Sequence, residues 1–161
     1  MLHTKSICVL AVMAFALSLH SQANNAKEQP NFPAMTKTMR VLGTWQGTTP
    51  CADCSGIVTT LTLYQKSANN FIGAVYRLHL RYIDRGSFTN YGSWTVLRGM
   101  PGNADATVYQ LDPEKSGKQY YLRVDGDTLQ QLDGDMKPID SKLNFTLKRI
   151  AQTSLPPSTE K

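Results

Sequence analysis

Phe71-Ile72-Gly73-Ala74-Val75-Tyr76-Arg77-Leu78-His79-Leu80-Arg81-Tyr82-Ile83 alternates with a period of two. Ile72, Ala74, Tyr76, Leu78, Leu80 and Tyr82 share one side. Gly73, Val75, Arg77, His79 and Arg81 share the other. Successive side chains of a strand point to opposite faces, so this pattern predicts a half-buried strand rather than a helix.

The neighbouring segments carry the same signature. Ile57 to Gln65 is dense in β-branched residues, with Ile57, Thr59, Leu61 and Leu63 on one face and Val58, Thr60, Thr62 and Tyr64 on the other. Gly43 to Thr49 reads as a strand anchored by Trp45, and Phe88 to Leu97 as one carrying Trp94. Met100-Pro101-Gly102-Asn103 breaks that run, and Thr107 to Leu111 follows. Asp125-Gly126-Asp127 separates Lys118–Val124 from Thr128–Leu132, a hairpin signal because glycine accepts the positive φ of a tight turn. Lys142 to Ile150 ends the series, with Leu143, Phe145 and Leu147 on one face. About eight short strands, and no amphipathic helix of ten residues or more after the leader, predict an all-β antiparallel meander. Eight strands can close into a barrel and so remove their exposed edges; the alternative is an open β-sandwich. The aromatics Trp45, Tyr64, Tyr76, Tyr82, Trp94, Tyr109, Tyr120 and Tyr121 read first as core and cross-strand packing, and secondly as the lining of a ligand cavity.

The chain of 161 residues begins with Lys5, an apolar run from Ile7 to Leu19, and Ser21-Gln22-Ala23. That is the order of a secretory signal peptide, and the run is short of the roughly 20 residues that span a bilayer as a helix. Residues 1–23 are expected to be cleaved after Ala23. Residues 24–39 then form a polar leader, with a helical turn expected near Met35 to Val41. Residues 40–150 form the β-domain and 151–161 a polar tail with Pro156-Pro157. No cysteine follows Ala23 directly, which argues for a soluble periplasmic form without a lipid anchor. The formal net charge is +5, and the charges are scattered rather than gathered in blocks, so a nucleic-acid footprint is not expected.

Three cysteines are present, and Cys8 falls in the expected signal peptide. The other two stand in Pro50-Cys51-Ala52-Asp53-Cys54-Ser55-Gly56, a turn-rich loop between the first two strands. Three chemistries are open to them. A disulfide suits an exported protein and would close only a small ring. If reduced, two thiolates suit a soft ion such as Cu(I). A closed zinc site needs two further ligands, and His79 is the single histidine after the leader. Met100 and Met136 are conceivable additional donors. Redox catalysis is the third option; it lacks the helix N-terminus that usually activates the first cysteine, because a β-branched strand follows Cys54. Ser55 has no partner suggesting a nucleophile, and the loop aspartates read as turn formers.

Gly47-Thr48-Thr49-Pro50-Cys51-Ala52-Asp53-Cys54-Ser55-Gly56-Ile57, followed by Thr59-Thr60-Leu61-Thr62-Leu63, resembles the hallmark of the NlpE N-terminal domain family. Gly92-Ser93-Trp94, Leu132-Asp133, Lys137-Pro138-Ile139 and Leu143-Asn144-Phe145-Thr146-Leu147 resemble later stretches in the same order, so the likeness covers residues 40–150. The resemblance implies a lipocalin-like barrel exported by a Gram-negative cell. It also implies a link to copper resistance and envelope stress, with Cys51 and Cys54 at the position proposed for metal or redox sensing. The second, smaller β-domain of longer members is not matched here.

The expected function is therefore non-enzymatic metal or redox homeostasis and envelope-stress sensing through Cys51 and Cys54, with Cu(I) as cofactor when the pair is reduced. Envelope proteins are the expected partners, and no membrane span or nucleic acid is expected. The alternative is a barrel that binds a small apolar ligand or a partner's peptide, with the cysteine pair as a disulfide staple. A thiol oxidoreductase ranks third.

Overall fold

The computed structural model describes residues 32–68 and 70–151. A five-residue helix α1 (Phe32–Thr36) precedes eight strands: β1 (Arg40–Thr49), β2 (Ile57–Gln65), β3 (Val75–Tyr82), β4 (Ser87–Met100), β5 (Asn103–Leu111), β6 (Gln119–Arg123), β7 (Thr128–Leu132) and β8 (Thr146–Arg149). Each strand pairs antiparallel with the next, and β8 returns to β1. The expected barrel is the fold, and the open sandwich is excluded. Among the described residues no helix is long and apolar enough to cross a membrane.

The closing seam is short. It pairs Trp45 with Arg149 and Gln46 with Lys148. Two further bonds extend it: Ile150 N donates to Thr44 O (2.9 Å), and Asn144 Nδ2 donates to Thr48 O (2.9 Å). The backbones approach so closely that a Cβ at Gly47 would lie 2.3 Å from Thr146 O.

The inward positions of all the strands meet in one core. Trp45, Leu61, Leu63, Tyr76, Leu78, Trp94, Tyr109, Leu111, Tyr121, Leu129 and Leu147 are all buried there. The aromatics therefore fill the middle of the barrel, and cavities open toward its two ends. Trp94 stacks edge-on with Phe71 (5.3 Å) and Tyr109 (5.4 Å), and its Nε1 donates to Tyr64 O (2.9 Å). A second cluster of Ala106, Val108 and Leu132 gathers Leu97, Met100, Tyr120 and Leu122 on the outward positions of β4 to β7, together with Met136 of the β7–β8 connection. Phe32 of α1 packs on Tyr64 and Tyr91, outward residues of β2 and β4.

A buried polar cluster joins β3, β4 and the end of β5. Tyr76 Oη donates to Asp112 Oδ2 at 2.7 Å, and Lys115 Nζ stands 2.8 Å from Asp112 Oδ1. Oδ1 has no hydrogen bond of good geometry, so the lysine charge is its principal partner. Gly92 faces Tyr76 across the ladder, and a Cβ there would lie 2.1 Å from Asp112 Oδ1 and 2.7 Å from Tyr76 Cε1. Gly92→Ala should therefore cost about 1–3 kcal/mol, the usual range for overpacking a filled core. Urea denaturation checks this, and an unchanged midpoint would contradict it.

Several boundaries differ from expectation. The helical turn is Phe32–Thr36 rather than Met35 to Val41, because Arg40 and Val41 already pair with Gln65 and Tyr64. β3 starts at Val75, not Phe71: Ala74 N bonds back to Phe71 O in a turn, which leaves Ile72 80% exposed. Met100 and Asn103 pair across Pro101-Gly102, so the expected break is a tight hairpin between two long strands. The last strand keeps only Thr146–Arg149, and Leu143 is exposed rather than sharing the core face with Leu147. The expected signal peptide, its cleavage after Ala23, half of the leader (residues 24–31) and nearly all of the tail lie outside the described residues.

Candidate functional site: the cysteine loop

The chain reverses at every connection. The β1–β2, β3–β4, β5–β6 and β7–β8 connections therefore share one end of the barrel, and the other three share the opposite end. The cysteine loop, residues 50–56, belongs to the first group. Pro50 ends β1, and Ile83 N donates to Gly56 O (3.0 Å), which ties the loop to the β3–β4 turn.

Cys51 and Cys54 are joined as a disulfide, with S–S 2.07 Å and Cα atoms 5.3 Å apart. Both are half-buried, and Asp53 between them is exposed. Cys51 Sγ lies 3.6 Å from Asp53 Oδ1, and Cys54 Sγ lies 3.3 Å from Gly56 O. Bonded sulfurs have no proton to donate, so these are contacts in the oxidised state. In the reduced state the same two oxygens would accept from the thiols. Arg85 of the β3–β4 turn pairs with the Asp53 carboxylate (Nη1–Oδ2 2.7 Å) and also donates to the Asp53 carbonyl. Both side chains are largely exposed, so the pair orients the loop more than it stabilises the fold.

The Sγ atoms and an Asp53 carboxylate oxygen all lie within 4.8 Å of one another. Asp53 was read from sequence only as a turn former; it stands as a third potential ligand. Its position in the motif was visible, but its link to Arg85, 32 residues on, was not. The other conceivable donors are elsewhere. His79 faces outward from β3 and its Nδ1 bonds Thr89 Oγ1 (2.9 Å). Met100 and Met136 pack in the outer apolar cluster. For a soft ion the donor set present is thus two sulfurs and one carboxylate, available once the disulfide opens. For catalysis the setting is poor: a strand rather than a helix N-terminus follows Cys54, so that source of thiolate activation is missing.

Just inside the loop is a cavity of about 240 Å³ lined by Thr49, Pro50, Thr59, Leu80, Tyr121 and Gln131, among others. Its lining is mixed, with Ile57, Leu78 and Phe145 beside the polar groups.

The profile of the NlpE N-terminal domain matches residues 45–142, which include the cysteine loop and most of the barrel. The chain belongs to the NlpE N-terminal domain family. Lipoprotein NlpE of Escherichia coli (strain K12) is 34% identical over 158 residues, covering 94% of this chain and 60% of that protein. The chain thus spans about three fifths of the length of that NlpE relative. A solved structure, the Cpx pathway activator NlpE from Escherichia coli, aligns with 33% identity and a TM-score of 0.44 over 71% of this chain and 53% of that one. The NlpE match lies within the region on which the sequence motif was recognised, and it includes both Cys51 and Cys54.

Proposed function

We propose that this NlpE-type domain acts in the periplasm as a non-enzymatic sensor of metal or redox state, and that it passes that state to envelope proteins of a stress response. The observation that carries the reading is the disulfide between Cys51 and Cys54 with Asp53 beside it, on an accessible rim of the barrel. Its E. coli relatives are named as a lipoprotein and as an activator of the Cpx pathway, which supports an envelope-stress role.

The chemistry has two states. Two electrons and two protons from a dithiol donor would open the disulfide to two thiols, the donor itself becoming a disulfide. Loss of those protons to solvent gives two thiolates, the donors a soft monovalent ion prefers. Asp53 Oδ1 faces Cys51 while Oδ2 pairs with Arg85, so the carboxylate would serve the ion through Oδ1 with the loop still tied to the β3–β4 turn.

Reduced protein should take up one Cu(I) per chain in competition with a chelator of known affinity, and oxidised protein none. Cys51→Ser should weaken binding at least a hundredfold. Equal Cu(I) affinity in wild type and Cys51→Ser would overturn the metal reading.

A further inference from the structure

At the barrel end opposite the cysteine loop, the inward faces of three strands finish on arginine. Val96, Tyr121 and Leu147 point inward, and two residues further along their strands come Arg98, Arg123 and Arg149. In the sequence these three residues are far apart among scattered charges. The antiparallel meander brings them to one rim.

Beneath the rim lies a cavity of about 440 Å³, within the roughly 300–1,000 Å³ common for small-molecule sites. Leu42, Phe71, Val96 and Tyr109 form its apolar floor, and Arg98 and Arg123 its cationic edge. Arg149 lies beside it, its guanidinium 4.7 Å from the Trp45 ring centroid. Burial raises the pKa of the Tyr109 phenol, while Arg123, Arg149 and Arg98 all draw it back down, so three positive fields converge at that hydroxyl.

These charges are incompletely neutralised. Arg149 has Asp127 at 3.5 Å. Arg98 donates to Thr107 Oγ1 (2.9 Å) and Arg123 to the Asp125 carbonyl (3.4 Å), both uncharged acceptors. Asp105 and Asp125 border an adjoining cleft with Arg123, but among the described residues neither forms an ion pair with Arg98 or Arg123. Guanidinium groups over an apolar floor match a ligand with an anionic head and an apolar body.

We propose that this mouth binds an anionic amphiphile, its carboxylate or phosphate held by Arg98 and Arg123 and its chain lying on Leu42, Phe71 and Val96. The aromatic plug limits how deep the chain goes, so a long chain leaves its far end outside the barrel. The site is independent of the cysteine loop and lies at the other end of the fold.

Tryptophan fluorescence can read binding, because Phe71 of the cavity touches Trp94 and Tyr109 touches both tryptophans. Purified protein is titrated, below micelle formation, with dodecanoate, dodecyl phosphate and dodecanol, and separately with inorganic phosphate. At least one charged amphiphile should bind saturably, with dodecanol at least tenfold weaker. The better of the two charged probes identifies the headgroup. The double variant R98Q/R123Q should bind the charged probe at least tenfold more weakly, with near-UV circular dichroism confirming its fold. Absence of saturable binding, equal affinity for dodecanol, equal affinity of the folded double variant, or inorganic phosphate binding as tightly as the amphiphile would each overturn the proposal. The comparison of headgroups on the wild type decides even if the double variant does not fold.

Discussion

Replacing Trp94 by alanine should destabilise the barrel by about 3–5 kcal/mol, a large part of the roughly 5–15 kcal/mol that holds a domain of this size together. Trp94 is 2% exposed and lies where β4 passes from pairing with β3 to pairing with β5. Its ring fills the space between Phe71 and Tyr109, and its Nε1 satisfies the Tyr64 carbonyl. Truncation would remove the packing and the bond from Nε1 to that carbonyl. Trp45 supplies the comparison. It is equally buried, but its Nε1 has no hydrogen-bond partner among the described residues. Trp94→Phe should therefore cost about 1–2 kcal/mol more than Trp45→Phe, the difference being one hydrogen bond. Denaturant midpoints of the two phenylalanine variants test this. Equal losses would show that the bond to Tyr64 adds nothing.

The barrel should also lose stability steeply above about pH 10. Tyr76, Tyr109 and Tyr121 are buried, and burial is the main cause that raises the pKa of each. The Asp112 carboxylate beside Tyr76 raises it further. In the unfolded chain a tyrosine ionises near pH 10. A folded-state value above the unfolded one means that the native state holds the proton more tightly. Its contribution is complete below the unfolded value and is lost as pH rises from there toward the folded value. Each such group removes up to ~1.4 kcal/mol per pH unit, so Tyr76 and Tyr121 together remove ~3 kcal/mol per unit, and Tyr109 adds less because Arg123, Arg149 and Arg98 offset its burial. At that slope a domain of ordinary stability unfolds by about pH 12. Urea midpoints should stay nearly level up to about pH 9.5 and then fall, with tyrosinate absorbance appearing together with unfolding. Tyr121→Phe should make the decline shallower. Tyrosines that all ionise at pH 10 in a protein that stays folded would refute this account.

Much of the fold was legible from local pattern. The period of two in residues 71–83, the β-branched run 57–65 and the Asp-Gly turn at 125–126 each rest on short-range backbone geometry, and all three correspond to strands or a hairpin. The misreadings fall where a local pattern competes with tertiary pairing. Leu143 and Phe145 continue the alternation of Leu147, but the barrel has no ladder partner for Leu143, which is left exposed. Ile72 likewise fits the period of β3, yet a turn through Phe71 and Ala74 takes it out of the sheet. Pro101-Gly102 signals a break, and only the partner strand shows that the break is a hairpin. The candidate site divides in the same way. Cys51 and Cys54 stand out by spacing and motif. The role of Arg85 in fixing Asp53, and the removal of His79, Met100 and Met136 from the donor set, depend on which faces and ends those residues occupy.

Sequence alone determined that this is a β-meander with a close thiol pair at a strand-to-strand turn, because alternation, turn chemistry and cysteine spacing are properties of neighbouring residues. Tertiary structure alone decided that the sheet closes, that aromatic rings fill its middle, and that Asp53 meets Arg85 at one end while Arg98, Arg123 and Arg149 gather at the other. The physical reason is that closure and convergence depend on pairing between residues as far apart as Trp45 and Arg149. Such pairings are set by the register of the whole barrel and leave no mark within a single strand.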